Sequence, residues 1–175
     1  MNLKNLIAIA VLVLGIVSIM MYKLITLAAL EVLIESYFSV QQIETSLLAE
    51  KLQTADSTGF LIFDTRRRDE YERSHLRTAI RVEPEMAAEA FIENNRKQIP
   101  GKQLIFYCSV GGRSSIFAER VKDKALALQA KSILNLRGGI FRWYNDGYPV
   151  FNAFGETDDI HPYNVIWEKL VKQRQ

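Results

Sequence analysis

The sequence predicts an α/β protein with a mainly parallel central sheet flanked by helices, preceded by one apolar N-terminal helix. Three observations predict it. From about residue 40, short apolar runs alternate with longer, partly charged segments at the spacing of strands and helices. Asp64, Cys108 and Gly138 each fall at or just after the end of such a run, where α/β sheets gather their sites. Ahead of all this lie 18 uncharged residues, Asn5 to Tyr22, between Lys4 and Lys23.

As a helix that first run would span roughly 27 Å, close to the hydrocarbon thickness of a bilayer. It reads as a single-pass membrane anchor of the bacterial inner-membrane type. The alternatives are a cleaved signal peptide, with Thr26-Leu27-Ala28 as its small-residue site and a soluble periplasmic domain as its product, and a buried soluble helix. Lys4 and the α-amino group favour an N-terminus inside, and so a domain facing the periplasm or exterior. Leu24 to Phe38 stays apolar but admits Glu31 and Glu35, without proline or glycine. It predicts a continuation of the same helix to about Ser36, against the membrane interface or the domain.

The soluble elements follow in order. Ile43 opens an edge strand or turn, and Thr45 or Ser46 caps a helix reaching about Thr54. Phe60–Asp64 is a strand, Arg67–Arg73 a short charged helix, and Ala79–Val82 a strand stopped before Pro84. Glu85–Asn95 is helical, closed by Pro100-Gly101. Leu104–Tyr107 is a strand. Ser114–Leu128 is a long helix with Ile116, Phe117, Val121, Ala125 and Leu128 on or near one face. Ser132–Leu136 is a strand, and Gly139–Asp146 a short helix ended by Gly147. This divides the chain into 1–36 (membrane helix and its continuation), 37–150 (the α/β domain) and 151–175 (an extension expected to dock on the domain).

Composition excludes several classes. A net charge of +2 over 175 residues gives no footprint for nucleic acid. A single cysteine excludes an internal disulfide, a four-cysteine zinc site and an internal resolving thiol. His75 and His161, 86 positions apart, have no ligand spacing, so neither metal nor cofactor is expected.

That one cysteine begins Cys108-Ser109-Val110-Gly111-Gly112-Arg113, between an apolar strand and a helix start at Ser114. Gly111 and Gly112 let successive N–H groups turn inward. The helix start contributes unpaired N–H groups and its positive end. Arg113 adds a cation. All of this favours a thiolate, or a sulfur anion carried on it, over an inert buried thiol.

Three further segments accompany the loop: Phe60-Leu61-Ile62-Phe63-Asp64-Thr65-Arg66, the Glu70-Tyr71 to His75-Leu76 and Ala79-Ile80 stretch, and Leu136-Arg137-Gly138-Gly139-Ile140-Phe141-Arg142-Trp143. In order and spacing the four resemble the motifs of the rhodanese-like sulfurtransferases, over about residues 40–150. Ser74 and Thr78 stand where that family usually has glycine, and Ser109 where thiosulfate-using members often have a basic residue. A phosphatase relative of the fold has five residues between Cys and Arg, usually with a preceding His; here there are four, after Tyr107. Arsenate reductase chemistry lacks its second cysteine.

The resemblance implies a sulfurtransferase. Cys108 would take sulfur from a small donor such as thiosulfate or a persulfide, and hand it to a thiol, a cyanide-like acceptor or a protein thiol. Ser109, Val110, Gly111, Gly112, Arg113 and Ser114 would bind the persulfide. Arg67 and Arg68 would steer donor anions. Asp64, Arg66, Glu70, His75, Gly138, Gly139 and Trp143 would be structural support. The other reading is a membrane-tethered binding or sulfur-relay module with little turnover of its own.

Overall fold

The computed structural model describes residues 2–24, 26–53 and 57–173. After an apolar helix, α1 (Leu3–Leu24), and a second helix, α2 (Leu27–Tyr37), come β1 (Gln41–Ile43), α3 (Thr45–Gln53), β2 (Phe60–Asp64) and α4 (Arg68–Arg73). Then follow β3 (Ile80–Arg81), α5 (Ala88–Asn95), β4 (Gln103–Tyr107), α6 (Gly112–Ala127), β5 (Ser132–Leu136) and α7 (Gly139–Asn145). A small antiparallel pair, β6 (Val150–Asn152) and β7 (Gly155–Thr157), closes the domain.

Five strands form one sheet in the order β1-β5-β4-β2-β3, every pair parallel. Its inner strands β2 and β4 carry unbroken apolar runs, residues 60–63 and 104–107, because both faces are covered. Along β4, Ile105 and Tyr107 join a core with Ile43, Leu48, Ile62 and Trp143. Leu104 and Phe106 join the opposite core with Phe63, Phe91, Phe117 and Val121. In that second core Phe91 meets Phe117 edge-on at 5.4 Å between centroids; truncating either ring to Ala would cost about 3–5 kcal/mol.

Several boundaries differ from expectation for local reasons. The helix after the apolar run does not continue through Thr26, whose backbone is extended and whose hydroxyl accepts a hydrogen bond from Ala29 N, starting α2 afresh. Thr45 does not cap α3; its hydroxyl donates to Asp146, 101 positions on in the chain. The expected end of that helix, Thr54, lies outside the described residues. α5 begins at Ala88 rather than Glu85, because the chain first turns with Met86 N bonded to Glu83 O. α6 begins at Gly112, two residues before Ser114.

α2 lies against the domain: Leu27 is buried in the first core, and Leu30 and Ile34 pack on it. The C-terminal segment packs on the same core through Ile160, Tyr163, Trp167 and buried Leu170. Asn145 holds it at both sides, donating to Leu170 O and accepting from Lys172 N.

Candidate functional site

β4 delivers Cys108 to the carboxyl edge of the sheet, and the chain turns at once into α6. Gly111 makes that turn with φ +104°, a conformation side chains resist. Its carbonyl accepts from Ser115 N and from the hydroxyls of Ser114 and Ser115, at 3.0, 3.0 and 2.8 Å. Held that way, the Gly111 N–H points back into the loop and donates to Cys108 Sγ at 3.2 Å. Cys108 is 1% exposed.

The back of the loop is held by a second strand-to-helix turn, Gly138-Gly139 between β5 and α7. Ile140 N donates to Cys108 O at 2.9 Å, and Phe141 N to Ser109 O at 3.0 Å. Gly139 sits so close that a Cβ there would run into Cys108 O and lie 2.6 Å from Ser109 O. With its carbonyls drawn backward, the loop keeps the Gly111 N–H on the sulfur side.

Below the loop, Glu70 of α4 and Arg113 form a two-pronged ion pair, Nη1 to Oε2 at 2.8 Å and Nη2 to Oε1 at 2.7 Å. Ser109 Oγ closes the triangle, accepting from Arg113 at 2.9 Å and donating to Glu70 at 3.1 Å. Burial pushes the Glu70 carboxyl up, but the hydrogen bonds and charge of Arg113 outweigh it and hold Glu70 below the usual carboxylate range. Burial likewise works against the Arg113 charge; Glu70 outweighs it, and a negative Cys108 adds to the effect. Arg113 therefore stands near the sulfur with most of its hydrogen-bonding reach committed to Glu70 and Ser109. Its guanidinium is covered by the ring of Tyr163, 4.8 Å away, from the C-terminal segment.

The remaining candidates separate into two groups. Asp64 and Arg66 are fully buried and paired, Arg66 also donating to Ser74 O, so they tie the end of β2 to the turn after α4. His75 stacks on Tyr71 with its Nδ1 3.0 Å from Tyr71 O, and its backbone pairs with Phe151. Trp143 Nε1 donates to Pro149 O, fixing α7 to the following loop. Arg67 and Arg68 are exposed at the start of α4, and Arg68 faces Glu72 at 3.6 Å. Val110 and Ser114 are buried in the loop and first turn of α6.

Three contributors carry no sequence signal of their own. Tyr163 is one. Glu31 of α2 is 5% exposed, and reaches Arg142 of α7 with bonds of 2.7 and 2.9 Å, with Arg137 3.8 Å away. Ile34, one turn on, lies against the loop glycines, its Cδ1 3.8 and 3.9 Å from where Cβ atoms on Gly111 and Gly112 would stand. Thr78 is a fourth surprise of another kind: it adopts φ +64°, in the left-handed region that favours glycine.

Residues 45–146 match the rhodanese-like domain family. Among curated proteins, a probable molybdopterin-synthase adenylyltransferase of Porphyra purpurea is 31% identical over 110 residues, 63% of this chain. The chain spans only about a quarter (27%) of that relative's length. The BH2092 protein of Bacillus halodurans superimposes with a TM-score of 0.56 at 19% identity, covering 74% of this chain and 89% of that one. A thiosulfate sulfurtransferase of Pseudomonas aeruginosa does so with a TM-score of 0.54 at 20% identity, covering 81% of this chain and 25% of that one. At these identities the two structures are alike in fold.

Proposed function

The chain belongs to the rhodanese-like domain family, and we propose that it transfers sulfane sulfur through a persulfide on Cys108. The observation that carries this is the Gly111 N–H donated to Cys108 Sγ at 3.2 Å, at the amino end of α6. A helix start with inward N–H groups stabilises negative charge on the sulfur, and the thiolate is the nucleophilic form.

The chemistry proceeds in two displacements. The Cys108 thiolate attacks the outer sulfur of a donor such as thiosulfate or a small persulfide. A Cys108 S–S bond forms as the donor's own bond to that sulfur breaks, and the donor leaves with the electron pair, as sulfite or as a thiolate. The terminal sulfur, an anion, rests against the loop N–H groups. An acceptor thiolate or cyanide then attacks the terminal sulfur and returns Cys108 to a thiolate. No outside oxidant or reductant is consumed. Because the chain holds one cysteine, the acceptor is a separate molecule, either a small thiophile or a protein thiol. Arg67 and Arg68, exposed near the site, serve to draw in the anionic donor.

α1 is proposed as a single-pass inner-membrane anchor, with the domain on the periplasmic side. Leu3–Met20 is long and apolar enough to cross a bilayer, and none of it is buried in the protein. The site suggested for signal cleavage, Thr26-Leu27-Ala28, instead caps α2 and buries Leu27, which supports an uncut chain.

Intact mass of the full chain before and after thiosulfate tests the chemistry. A gain of about 32 Da, reversed by cyanide or reductant and absent in Cys108→Ser, is expected of a persulfide. Folded protein with a free thiol that gains nothing from thiosulfate or a persulfide donor would overturn the reading.

A further inference from the structure

α2 is turned inside out. Its two charges are paired with the domain: buried Glu31 grips Arg142, and Glu35, exposed on the flank of the helix, meets Arg137 at 2.7 Å. Leu27, Leu30 and Ile34 share that inner side. At 100° per residue the opposite side is formed by Ala28, Ala29, Val32, Leu33 and Ser36, with Tyr37 on the flank beside Leu30. All six are exposed, with Val32 and Leu33 at 61% and Tyr37 at 80%. The single polar group among these side chains besides the Tyr37 phenol, the Ser36 hydroxyl, is turned back onto Leu33 O at 2.8 Å. A surface helix in water ordinarily carries its charge outward; this one has none there.

We propose that this outer face of α2 lies on the lipid surface, so that the edge of the domain bearing the Cys108 loop is docked against the bilayer. The proposal rests on reading α1 as a membrane span. Chain continuity favours lipid over another protein. Only residues 25 and 26 separate α1 from α2, and three chain steps cover at most about 11 Å, so α2 starts at the membrane boundary. Tyr37, exposed on the flank at the far end of α2, is a residue type enriched in that boundary. A second copy of the chain fits less well. One side of an 11-residue helix, about 16 Å long and 10 Å wide, falls far short of the roughly 800 Å² each partner gives to a stable interface. The consequence for the site is direct. Ile34, on the inner side of the same helix, lies over the Gly111-Gly112 turn, 3.8 Å from where a Cβ on Gly111 would stand, so about one helix diameter, 10 Å, separates lipid from the sulfur loop.

Fluorophore quenching in lipid vesicles tests this on the full chain. Cys108→Ser removes the native thiol, and single cysteines are then introduced by Val11→Cys, Leu33→Cys, Tyr37→Cys or Lys131→Cys and labelled with an environment-sensitive dye. Lys131 is exposed at the opposite edge of the sheet, at the amino end of β5. The vesicles are phosphatidylcholine carrying a quencher either shallow or deep in the acyl chain. Labels at 33 and 37 are expected to be quenched at least about twofold more by the shallow quencher than by the deep one, as a helix seated 5–10 Å into the headgroup boundary requires. The label at 11 should respond to the deep quencher and that at 131 to neither. Quenching at 11 without quenching at 33 and 37 overturns the docking while leaving the anchor in place. Labels at 33 and 37 that are blue-shifted but unquenched assign the face to a protein and also overturn it. Absence of quenching at 11 overturns the anchor, and the docking with it.

Discussion

The molecule makes the same turn twice, with opposite use. Both β4 and β5 are followed within a few residues by a glycine with left-handed backbone that caps the next helix without a side chain, Gly111 at φ +104° and Gly138 at φ +65°. At α7 the amide of Ile140 is spent on Cys108 O, and that of Phe141 on Ser109 O. At α6 the amide of the capping glycine itself, Gly111, faces a sulfur atom, Cys108 Sγ at 3.2 Å. A helix start is thus not by itself a site; what its N–H groups meet decides whether it is scaffold or chemistry. Here the scaffold turn is what keeps the chemical turn open, because it occupies the carbonyls that would otherwise compete for the space.

Breaking the chemical turn should give the largest effect. Cys108→Ser is expected to abolish sulfur transfer with little loss of stability, since the side chain keeps its size; a thermal melt alongside a sulfur-release assay checks both. The two glycines that flank the loop should then part company. Gly139→Ala drives a Cβ into backbone that cannot move, and is expected to cost about 3 kcal/mol, read as a lower urea midpoint, with activity falling in step. Gly111→Ala meets the side chain of Asn135 at 3.1 Å, which can shift. It should cost less stability than Gly139→Ala, and more activity for each kcal/mol lost.

Glu70→Gln sharpens the comparison from beneath. It leaves Arg113 without its charged partner and should destabilise the domain by about 2 kcal/mol at neutral pH. Glu70 is held below its ordinary pKa of 4.5 in the folded protein, so its contribution is full above that value and lost as pH falls through the lower, folded one. Urea midpoints of wild type and Glu70→Gln should therefore converge on acidification below pH 4.5. The smallest effect expected is a gain. Thr78→Gly relieves a left-handed threonine and should stabilise by about 1 kcal/mol, after allowing for the looser unfolded chain.

Where the sequence was legible, the reason is local. Phe60–Asp64 and Leu104–Tyr107 read as strands because a parallel strand buried on both faces leaves an unbroken apolar run. The loop at Cys108 read as an anion cradle because glycines, strand end and helix start are contiguous. α2 was not legible in the same way. Its apolar residues leave the facing direction open, and only Arg137 and Arg142, more than a hundred residues on, draw Glu31 and Glu35 inward. The boundary expected at residue 36 accordingly falls inside a helix that packs on the domain. Nor could Tyr163 be found, since its partner Arg113 lies 50 positions away and the intervening chain gives no spacing rule. The stacking of Tyr71 on His75 is the opposite case, a neighbouring turn whose hydrogen bonds could be expected from the segment alone.

The depth of Cys108 also bears on crowding. If α1 holds the chain in a bilayer as proposed, neighbouring chains confined to that surface collide far more often than chains in free solution. A thiol on each would ordinarily pair with its neighbour and be lost. A disulfide needs two sulfur atoms about 2.05 Å apart, and a sulfur 1% exposed beneath its own loop cannot be brought that close to its twin. Under that proposal, dense packing in a membrane patch would leave the population reduced, and the density of free thiols would rise with the number of chains.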